Sequence, residues 1–322
     1  MRKIISIFII IILLFISFEI LTESESILNS VSFSLNIFKN NIFPSLFPFF
    51  VLSSLLIKYG FVELISGCFS NFMNKIFKIN SKCAFIFFMS IISGNPANAK
   101  YTKELYLNKD INKYEATKIL CFSSFTNPLF ILGTVGVFLN NKEVPLLIIT
   151  CHYLGNIIVG ILMRNYHPSK IEKKSTLKTA INNMHMKRIS NNESFGQIIT
   201  NSLVNSINTL LLILGVITTC LVLTTIIDNN INLNSTIQSI LNGFIEMTQG
   251  LKYISLEAIP LKLKSVLTVM ILSFGGLSVH MQIMSILSDT DIKYLPFLAS
   301  RILCSVISSN LLFFVFDFWF NY

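Results

Sequence analysis

Long, predominantly apolar stretches alternate with short polar segments along this chain, and the first stretch covers residues 4–21. Stretches of similar character lie at 145–163, 195–227 and 294–318. A helix of about 20 apolar residues crosses the hydrocarbon core of a bilayer, which is about 30 Å thick. Because so many consecutive apolar side chains cannot be covered in water, these stretches predict several membrane-spanning helices.

The overall composition supports the same conclusion. Hydrophobic residues make up 52% of the 322 residues, and charged residues make up 13%. Soluble domains carry about 25% charged residues, so too few are present here to cover a globule in water. Since the apolar stretches are continuous and do not alternate with a period of two, a β-barrel is disfavoured. We therefore predict an all-α polytopic membrane protein with about six transmembrane helices.

The charge and the cysteines exclude other classes of protein. The net charge of +9 comes from Lys and Arg that lie mostly between the apolar stretches, where such residues orient membrane helices. This placement argues against a nucleic acid partner and makes membrane lipid the expected surroundings. The six cysteines lie singly, so we expect neither a zinc site nor a disulfide framework. No common hydrolase, metalloprotease or Walker motif occurs, and we expect no cofactor and no enzymatic activity.

Charges beside the apolar stretches predict the orientation of the chain. Arg2 and Lys3 precede the first stretch and glutamates lie at its end, which predicts a retained transmembrane helix over 1–25 with a cytoplasmic N-terminus. Segment 165–195 is mostly basic, so we predict a cytoplasmic linker there. Its charges either orient the protein or dock lipid headgroups or a protein partner.

One apolar stretch is only ten residues long, 83–92, and ends in the polar sequence SGNPANAK. Ten helical residues rise about 15 Å, half the thickness of a hydrocarbon core. The stretch and its polar return predict a re-entrant helical hairpin over 83–106, which needs protein or a water-filled cavity around its broken backbone. This segment offers a substrate the free N–H groups at the start of the returning helix, neutral side-chain donors and one cation. The candidate substrate-binding residues are Ser93, Gly94, Asn95, Asn98 and Lys100. The alternative for Lys100 is a place at the cytoplasmic surface.

Two further interruptions carry candidate residues. Pro128 predicts a kinked or unwound helix at Thr126 and Asn127, which either bind substrate or only form the kink. A pair of glycines ends another short apolar stretch and predicts a second re-entrant hairpin over 264–288, with the candidate residues Gly275, Gly276, Ser278, His280 and Gln282. His280 either relays protons or is satisfied by a neighbouring helix.

The two halves of the chain, 26–164 and 196–322, look like divergent copies. Each has an amphipathic-to-apolar helix, a short broken helix, a polar return and a final span. Counting spans places the hairpins on opposite sides of the membrane, so we predict an inverted repeat with the substrate bound between the hairpins. By contrast, we expect His152, Gly155 and Asn156 to serve packing, and Glu246 and Gln249 to form an interfacial face.

Four motifs together carry a resemblance: SGNPANAK at 93–100, TNPLF at 126–130, HYLGN at 152–156 and FGGLSVHMQ at 274–282. This combination resembles the sporulation integral membrane proteins of the nucleoside-recognition gate families, over about residues 40–316. The resemblance implies a polytopic protein of the outer forespore membrane in an endospore-forming bacterium. It also implies transport of dipicolinic acid from the mother cell towards the developing spore.

The residues themselves suit that substrate. Dipicolinate is a planar aromatic dianion, and hairpin tips with free N–H groups, neutral donors and a lysine suit carboxylates. Two other hypotheses stay open: a transporter or gate protein for a nucleoside or another small polar solute, and a non-transporting scaffold whose basic linker recruits a sporulation partner. A homo-oligomer is a further expectation.

Overall fold

The computed structural model describes residues 2–169, 177–191 and 193–320, and within these ranges the chain is all-α. Residues 170–176 and residue 192 of the predicted basic linker therefore lie outside the described residues. The α-helices in the described part are, in chain order, α1 (Arg2–Thr22), α2 (Ser24–Ile37), α3 (Phe43–Lys58), α4 (Phe61–Phe72), α5 (Cys83–Ser93), α6 (Ala97–Leu107), α7 (Lys113–Phe122), α8 (Gly136–Leu139), α9 (Val144–Leu162), α10 (Leu177–Ser190), α11 (Phe195–Asn230), α12 (Ser235–Ile245), α13 (Met247–Leu256), α14 (Leu261–Phe274), α15 (Gly276–Ile286) and α16 (Tyr294–Phe320).

Six helical segments in the described part are long and apolar enough to cross a membrane, which confirms the predicted class. They are Ile4–Thr22, Ser24–Lys58, Val144–Asn165, Phe195–Asn230, Leu261–Ile286 and Tyr294–Phe320. The first of these, α1, buries almost none of its side chains against the rest of the protein. Exposed apolar side chains along such helices are stable only in lipid. The protein is therefore an all-α polytopic membrane protein.

Helices α5 and α6 form an antiparallel pair at the position where the first hairpin was predicted. At the tip, the hydroxyl of Tyr101 lies 3.0 Å from Ser93 Oγ. At the base, Lys82 precedes α5 and forms an ion pair of 2.5 Å with Asp110, which follows α6. The hairpin is thus closed at both ends by side chains, while its re-entrant placement in the membrane stays a prediction.

A second antiparallel pair is formed by α12 and α13. The carboxylate of Glu257, at the end of α13, accepts hydrogen bonds from three hydroxyls near the start of α12: Ser235, Thr236 and Ser239. Gly243 and Gly250 let the two backbones touch, since a Cβ on Gly250 would collide with Gly243. The pair turns at Glu246, which adopts an extended backbone conformation.

The second hairpin predicted over residues 264–288 is not confirmed there. Helices α14 and α15 do not pack along each other, and Leu261–Ile286 is long and apolar enough to be one interrupted span. The interruption itself lies where it was expected, because Gly275 and Gly276 have φ values of +96° and +64°, which only glycine adopts without strain. In the second half of the chain, the helical hairpin is formed by α12 and α13, which precede the predicted segment 264–288.

The order of elements consequently repeats along the chain. The first set of elements consists of a hairpin (α5–α6), an interrupted helix (α7 to α8) and a span (α9). The second set has the same order, with a hairpin (α12–α13), an interrupted helix (α14 to α15) and a span (α16). The two sets pack together mainly where α16 contacts α9 and α7 and where α14 contacts α9. The inverted relation of the two sets stays a prediction.

The described part of the basic linker is a docked helix. Helix α10 packs along α4, and the backbone of Met184 lies against Gly60, where a Cβ would collide. Lys187 reaches to within 3.8 Å of Asp110 at the base of the first hairpin, and Lys58 forms a 2.8 Å ion pair with Glu193. Some of the linker charges thus hold the linker against the membrane helices.

Candidate functional site

Four interruptions of helices meet at one buried cavity of about 60 Å³. They are the tip of the first hairpin, the break between α7 and α8, the tip of the second hairpin and the break between α14 and α15. Helices α3 and α11 close the remaining walls. The cavity is lined by Asn41, Ile42, Ser45, Leu46, Asn95, Pro96, Thr126, Asn127, Phe130, Ile213, Ile217, Glu246, Met247, Thr248, Ser278, Val279 and Gln282.

The tip of the first hairpin is fastened to the break after α7. The backbone N–H of Asn95 donates to the Phe125 carbonyl over 2.8 Å, and the Asn127 amide donates to the Ser93 carbonyl over 3.1 Å. The hydroxyl of Ser124 lies 2.9 Å from Asn95 Oδ1. Gly94 has a φ of +76°, and a Cβ there would collide with the backbone of Asn127. These contacts pair the backbone groups that a broken helix leaves free.

The tip of the second hairpin packs onto the break after α14 in a similar way. A Cβ on Gly276 would lie 3.1 Å from the backbone nitrogen of Met247. Glu246 is 1% exposed, and one carboxylate oxygen accepts a hydrogen bond of 2.9 Å from the Gln249 N–H at the start of α13. The other oxygen lies 3.5 Å from Ser278 Oγ on α15. The acid at the tip therefore caps one helix and contacts the next.

His152 on α9 connects the two breaks. Its Nε2 atom accepts a hydrogen bond of 2.9 Å from the backbone N–H of Thr126, so the ring proton must be on Nδ1. Nδ1 in turn lies 2.9 Å from Ser273 Oγ, at the end of α14. The ring is completely buried and neutral in this arrangement. His152 thus serves the packing role that was expected, and it does so between the two interruptions.

Arg301 on α16 joins the same two breaks by their carbonyl ends. The guanidinium donates to the carbonyl oxygens of Cys121, Ser124 and Ser273, which are freed where α7 and α14 stop. Arg301 is 1% exposed, and within the described residues no carboxylate pairs with it. The negative ends of two helix dipoles therefore balance this buried cation.

The opposite, positive helix ends line the cavity. Helices α6, α13 and α15 begin at its wall, as does the π-helical turn Phe130–Val135 that follows Asn127. Asn127 Oδ1 caps that turn by accepting from Leu129 N at 2.7 Å and from Phe130 N at 3.3 Å. N-terminal ends of helices attract anions, because their N–H groups and dipoles point the same way. The cavity wall therefore favours negative charge, although Glu246 already supplies one carboxylate.

A larger cleft of about 620 Å³ adjoins the cavity. The cleft and the cavity share four lining residues, Asn41, Ser45, Phe130 and Thr248. Both of its walls contain a π-helical turn, Phe38–Ile42 on one side and Phe130–Val135 on the other. Such turns are locally wider than an α-helix and are frequent at functional sites. We call this cleft, with Asn36, Asn40, Asn41, Ser45 and Thr134 among its polar residues, the vestibule.

The structure brings most of the predicted residues to the cavity or directly behind it. Lining residues from the three predicted interruptions are Asn95, Thr126, Asn127, Ser278 and Gln282. The residues that shape the breaks behind this lining are Ser93, Gly94, Gly275 and Gly276. Asn98 is fully buried in the first turn of α6, and neither atom of its amide has a partner among the described residues.

Lys100 and His280 lie outside the cavity lining. Lys100 Nζ donates to Ser206 Oγ over 3.0 Å and to the Phe50 carbonyl over 3.4 Å, and it lies 4.6 Å from the centre of the Phe50 ring. Its side chain is buried between α6, α3 and α11, so it is not at the surface either. His280 is held by Tyr294 Oη and the Phe274 carbonyl, each 3.0 Å away.

Sequence reasoning missed several residues of the site. Glu246 was expected at an interface and is instead the one acidic side chain that lines the cavity. The local sequence gives no signal for it, because glutamate is not among the residues preferred at the N-cap of a helix. Nothing in the local sequence marks Arg301 or Ser45, because their partners are distant in the chain.

Comparisons with known proteins identify relatives of this chain. The chain is 31% identical over 320 aligned residues to the sporulation integral membrane protein YlbJ of Bacillus subtilis (strain 168), covering 91% of this chain and 78% of that relative. Residues 40–142 match the Gate family model, which is described as nucleoside recognition. This range contains the first hairpin and the break at Asn127. No solved structure matches the chain significantly.

Proposed function

Because this chain belongs to the family of the sporulation integral membrane protein YlbJ, we propose that it transports dipicolinic acid from the mother cell across the outer forespore membrane. The chain is an integral membrane protein, and its family ties it to sporulation. The observation that carries the proposal is the convergence of four helix interruptions on one cavity, to which they contribute polar side chains. Interrupted helices at membrane depth are typical of transporters, where they bind the substrate through freed backbone groups.

The chemistry of the cavity suits a small polar anion. Its wall contains the beginnings of three α-helices and one π-helical turn, together with the side-chain amides of Asn95, Asn127 and Gln282. Carboxylate oxygens are the acceptors that such N–H groups prefer. Apolar lining residues such as Phe130, Ile213 and Met247 offer contact to an aromatic ring.

Transport requires that the site opens, and the vestibule supplies one route. A cavity of about 60 Å³ holds only a few water molecules, whereas small-molecule pockets measure about 300–1,000 Å³. The adjoining vestibule, at about 620 Å³, falls within that range. We infer that the described state is closed around the site and that the vestibule is one of two alternating paths to it.

The test is replacement of the Bacillus subtilis relative by this chain in sporulating cells. We expect the replacement strain to fill its spores with dipicolinate, and a strain without either protein to retain dipicolinate in the mother cell. The assignment of the substrate is wrong if the two strains contain equal amounts of dipicolinate in their spores. This conclusion requires that the chain is present in the membrane of the replacement strain.

A second candidate is a transporter of nucleosides. The match of residues 40–142 to a nucleoside-recognition family and the neutral amides of the cavity favour it. Uptake by purified protein in liposomes separates the two candidates, because labelled dipicolinate and labelled nucleosides can be offered to the same preparation. Uptake of nucleosides alone would establish the second candidate in place of the first.

A further inference from the structure

The acidic side chain at the cavity conflicts with the charge of the proposed substrate. Glu246 is almost completely buried at the tip of the second hairpin and lines the cavity. One oxygen of its carboxylate lies 3.5 Å from the neutral hydroxyl of Ser278 on α15. Among the described residues, no lysine, arginine or histidine forms an ion pair with it.

The charged and titratable groups on the surrounding helices are engaged elsewhere. Cys220 on α11 is the titratable neighbour of the carboxylate. The others and their partners are Asp228 on α11 with Asn242, Lys252 on α13 over the Phe33 ring, Lys264 on α14 with the Ser255 carbonyl, and His280 on α15 with Tyr294. Within the described part of the chain, none of these cations forms an ion pair with Glu246 that could neutralise a second carboxylate beside it.

We propose that Glu246 takes up one proton when the anionic substrate binds, which makes this chain a proton–anion symporter. This inference rests on the proposed function, since it requires an anion in the cavity. Two carboxylates in one buried site cannot both stay ionised, so a proton is taken from solution and shared between them. In the step, the Glu246 carboxylate gains a proton to become a carboxylic acid, and no other bond changes.

A protonated Glu246 would also be a better ligand. The carboxylic acid has an O–H that can donate to a substrate carboxylate, whereas the ionised form only accepts. The second oxygen can still accept from the Gln249 N–H, so the start of α13 stays capped. Protonation therefore converts a repelling group into a donor without loosening the hairpin tip.

Binding of dipicolinate to the purified full-length protein in lipid nanodiscs provides the test. Calorimetry in buffers of different ionisation enthalpy counts the protons taken up at neutral pH. We expect uptake of up to one proton per dipicolinate bound for the unaltered chain, and close to none for Glu246→Gln. Glu246→Asp should retain the uptake, because it retains the carboxyl group. Glu143→Gln, at an exposed position before α9, is the matched control and should also retain it.

The pH dependence of the affinity provides a second measurement if Glu246→Gln fails to bind. One linked proton makes Kd rise up to tenfold for each unit of pH above the titration of the group. The unaltered chain and Glu246→Asp should show this rise with different midpoints. A Kd independent of pH, identical midpoints, or proton uptake that persists in Glu246→Gln would overturn the inference. Absence of any dipicolinate binding to the unaltered chain would instead count against the proposed function.

Discussion

The Nε2 atom of His152 lies 2.9 Å from the backbone nitrogen of Thr126 and accepts its hydrogen bond. This bond links α9 to the break after α7, and the other ring nitrogen links α9 to Ser273 at the end of α14. One neutral imidazole thus fixes the distance between the two interrupted helices.

Substitution His152→Phe should destabilise the protein and reduce transport. The phenyl ring nearly fills the space but leaves the Thr126 N–H without an acceptor, and an unpaired buried N–H costs about 1–3 kcal/mol. We expect a lower midpoint of thermal unfolding in detergent and less dipicolinate in spores. His185→Phe on the exposed face of α10 is the control and should change neither. An unchanged midpoint for His152→Phe would mean that the imidazole does not hold the two breaks together.

Substitution Arg301→Leu should be more damaging than Arg301→Lys. Leucine leaves the carbonyl oxygens of Cys121, Ser124 and Ser273 unpaired, whereas lysine keeps the charge but lacks the planar fork that reaches several acceptors. We expect Arg301→Leu to lose at least about 2 kcal/mol of unfolding free energy and Arg301→Lys to lie between it and the unaltered chain.

Denaturant unfolding of the three proteins checks this order. Arg188→Leu, on an exposed part of α10, loses a contact with the Tyr59 ring and should change the unfolding free energy by at most about 1 kcal/mol. Equal stability of Arg301→Leu and Arg301→Lys would contradict the role of the guanidinium fork.

Replacement of Gly94 or Gly276 by alanine should reduce transport, because each glycine lies where a hairpin tip meets a helix break. A methyl group on Gly94 would collide with the Asn127 backbone, and one on Gly276 would press on the backbone of Met247 at the tip of the second hairpin. Both glycines also have positive φ, where alanine is strained. We expect Gly94→Ala and Gly276→Ala each to lower transport severalfold. Gly215→Ala, in the middle of α11 with open space around it, should transport normally. Normal uptake by Gly94→Ala in liposomes would show that this close approach is dispensable.

Substitution Lys100→Met should lower the stability of the protein and leave its affinity for dipicolinate nearly unchanged. The lysine holds α6 against Ser206 and the Phe50 carbonyl and does not line the cavity. We expect a lower thermal midpoint, while the dipicolinate Kd of the folded fraction stays within about threefold.

Lys103→Met is the matched control for Lys100→Met. Lys103 lies one turn further along α6 and forms a surface ion pair of 2.6 Å with Asp289, a contact that lowers the pKa of that carboxyl. Exposed pairs of this kind contribute at most about 1 kcal/mol, so Lys103→Met should have little effect on either quantity. If Lys100→Met loses affinity for dipicolinate while its stability is unchanged, Lys100 contacts the substrate after all.

A bulky residue at Ser45 should block passage between the vestibule and the cavity. Ser45 lines both spaces, so a phenyl ring there would fill the opening. We expect Ser45→Phe to abolish uptake into liposomes while the protein remains folded by thermal unfolding. Ser17→Phe, on the exposed face of α1, should take up dipicolinate normally. Full uptake by Ser45→Phe would exclude the vestibule as a path to the site.

The sequence alone determined the class of this protein and three of its four interruptions. Apolar stretches of membrane-spanning length are a local property, because lipid requires each helix to satisfy its own backbone. The breaks at 93–96, 126–128 and 275–276 are likewise local, since proline removes a donor and glycine permits positive φ wherever they occur. These features could be predicted without knowledge of any neighbour.

Only the tertiary structure decided where the second hairpin lies and what surrounds the cavity. The turn at Glu246 contains neither proline nor glycine, and it is maintained by the close approach of α12 to α13 and by contacts of Glu257 with α12. Arg301 contacts Cys121, which is 180 residues earlier in the chain. Lys100 similarly turned out to be buried against Ser206 rather than aimed at the cavity. A buried polar side chain must find partners, and which partners it finds depends on how distant segments pack.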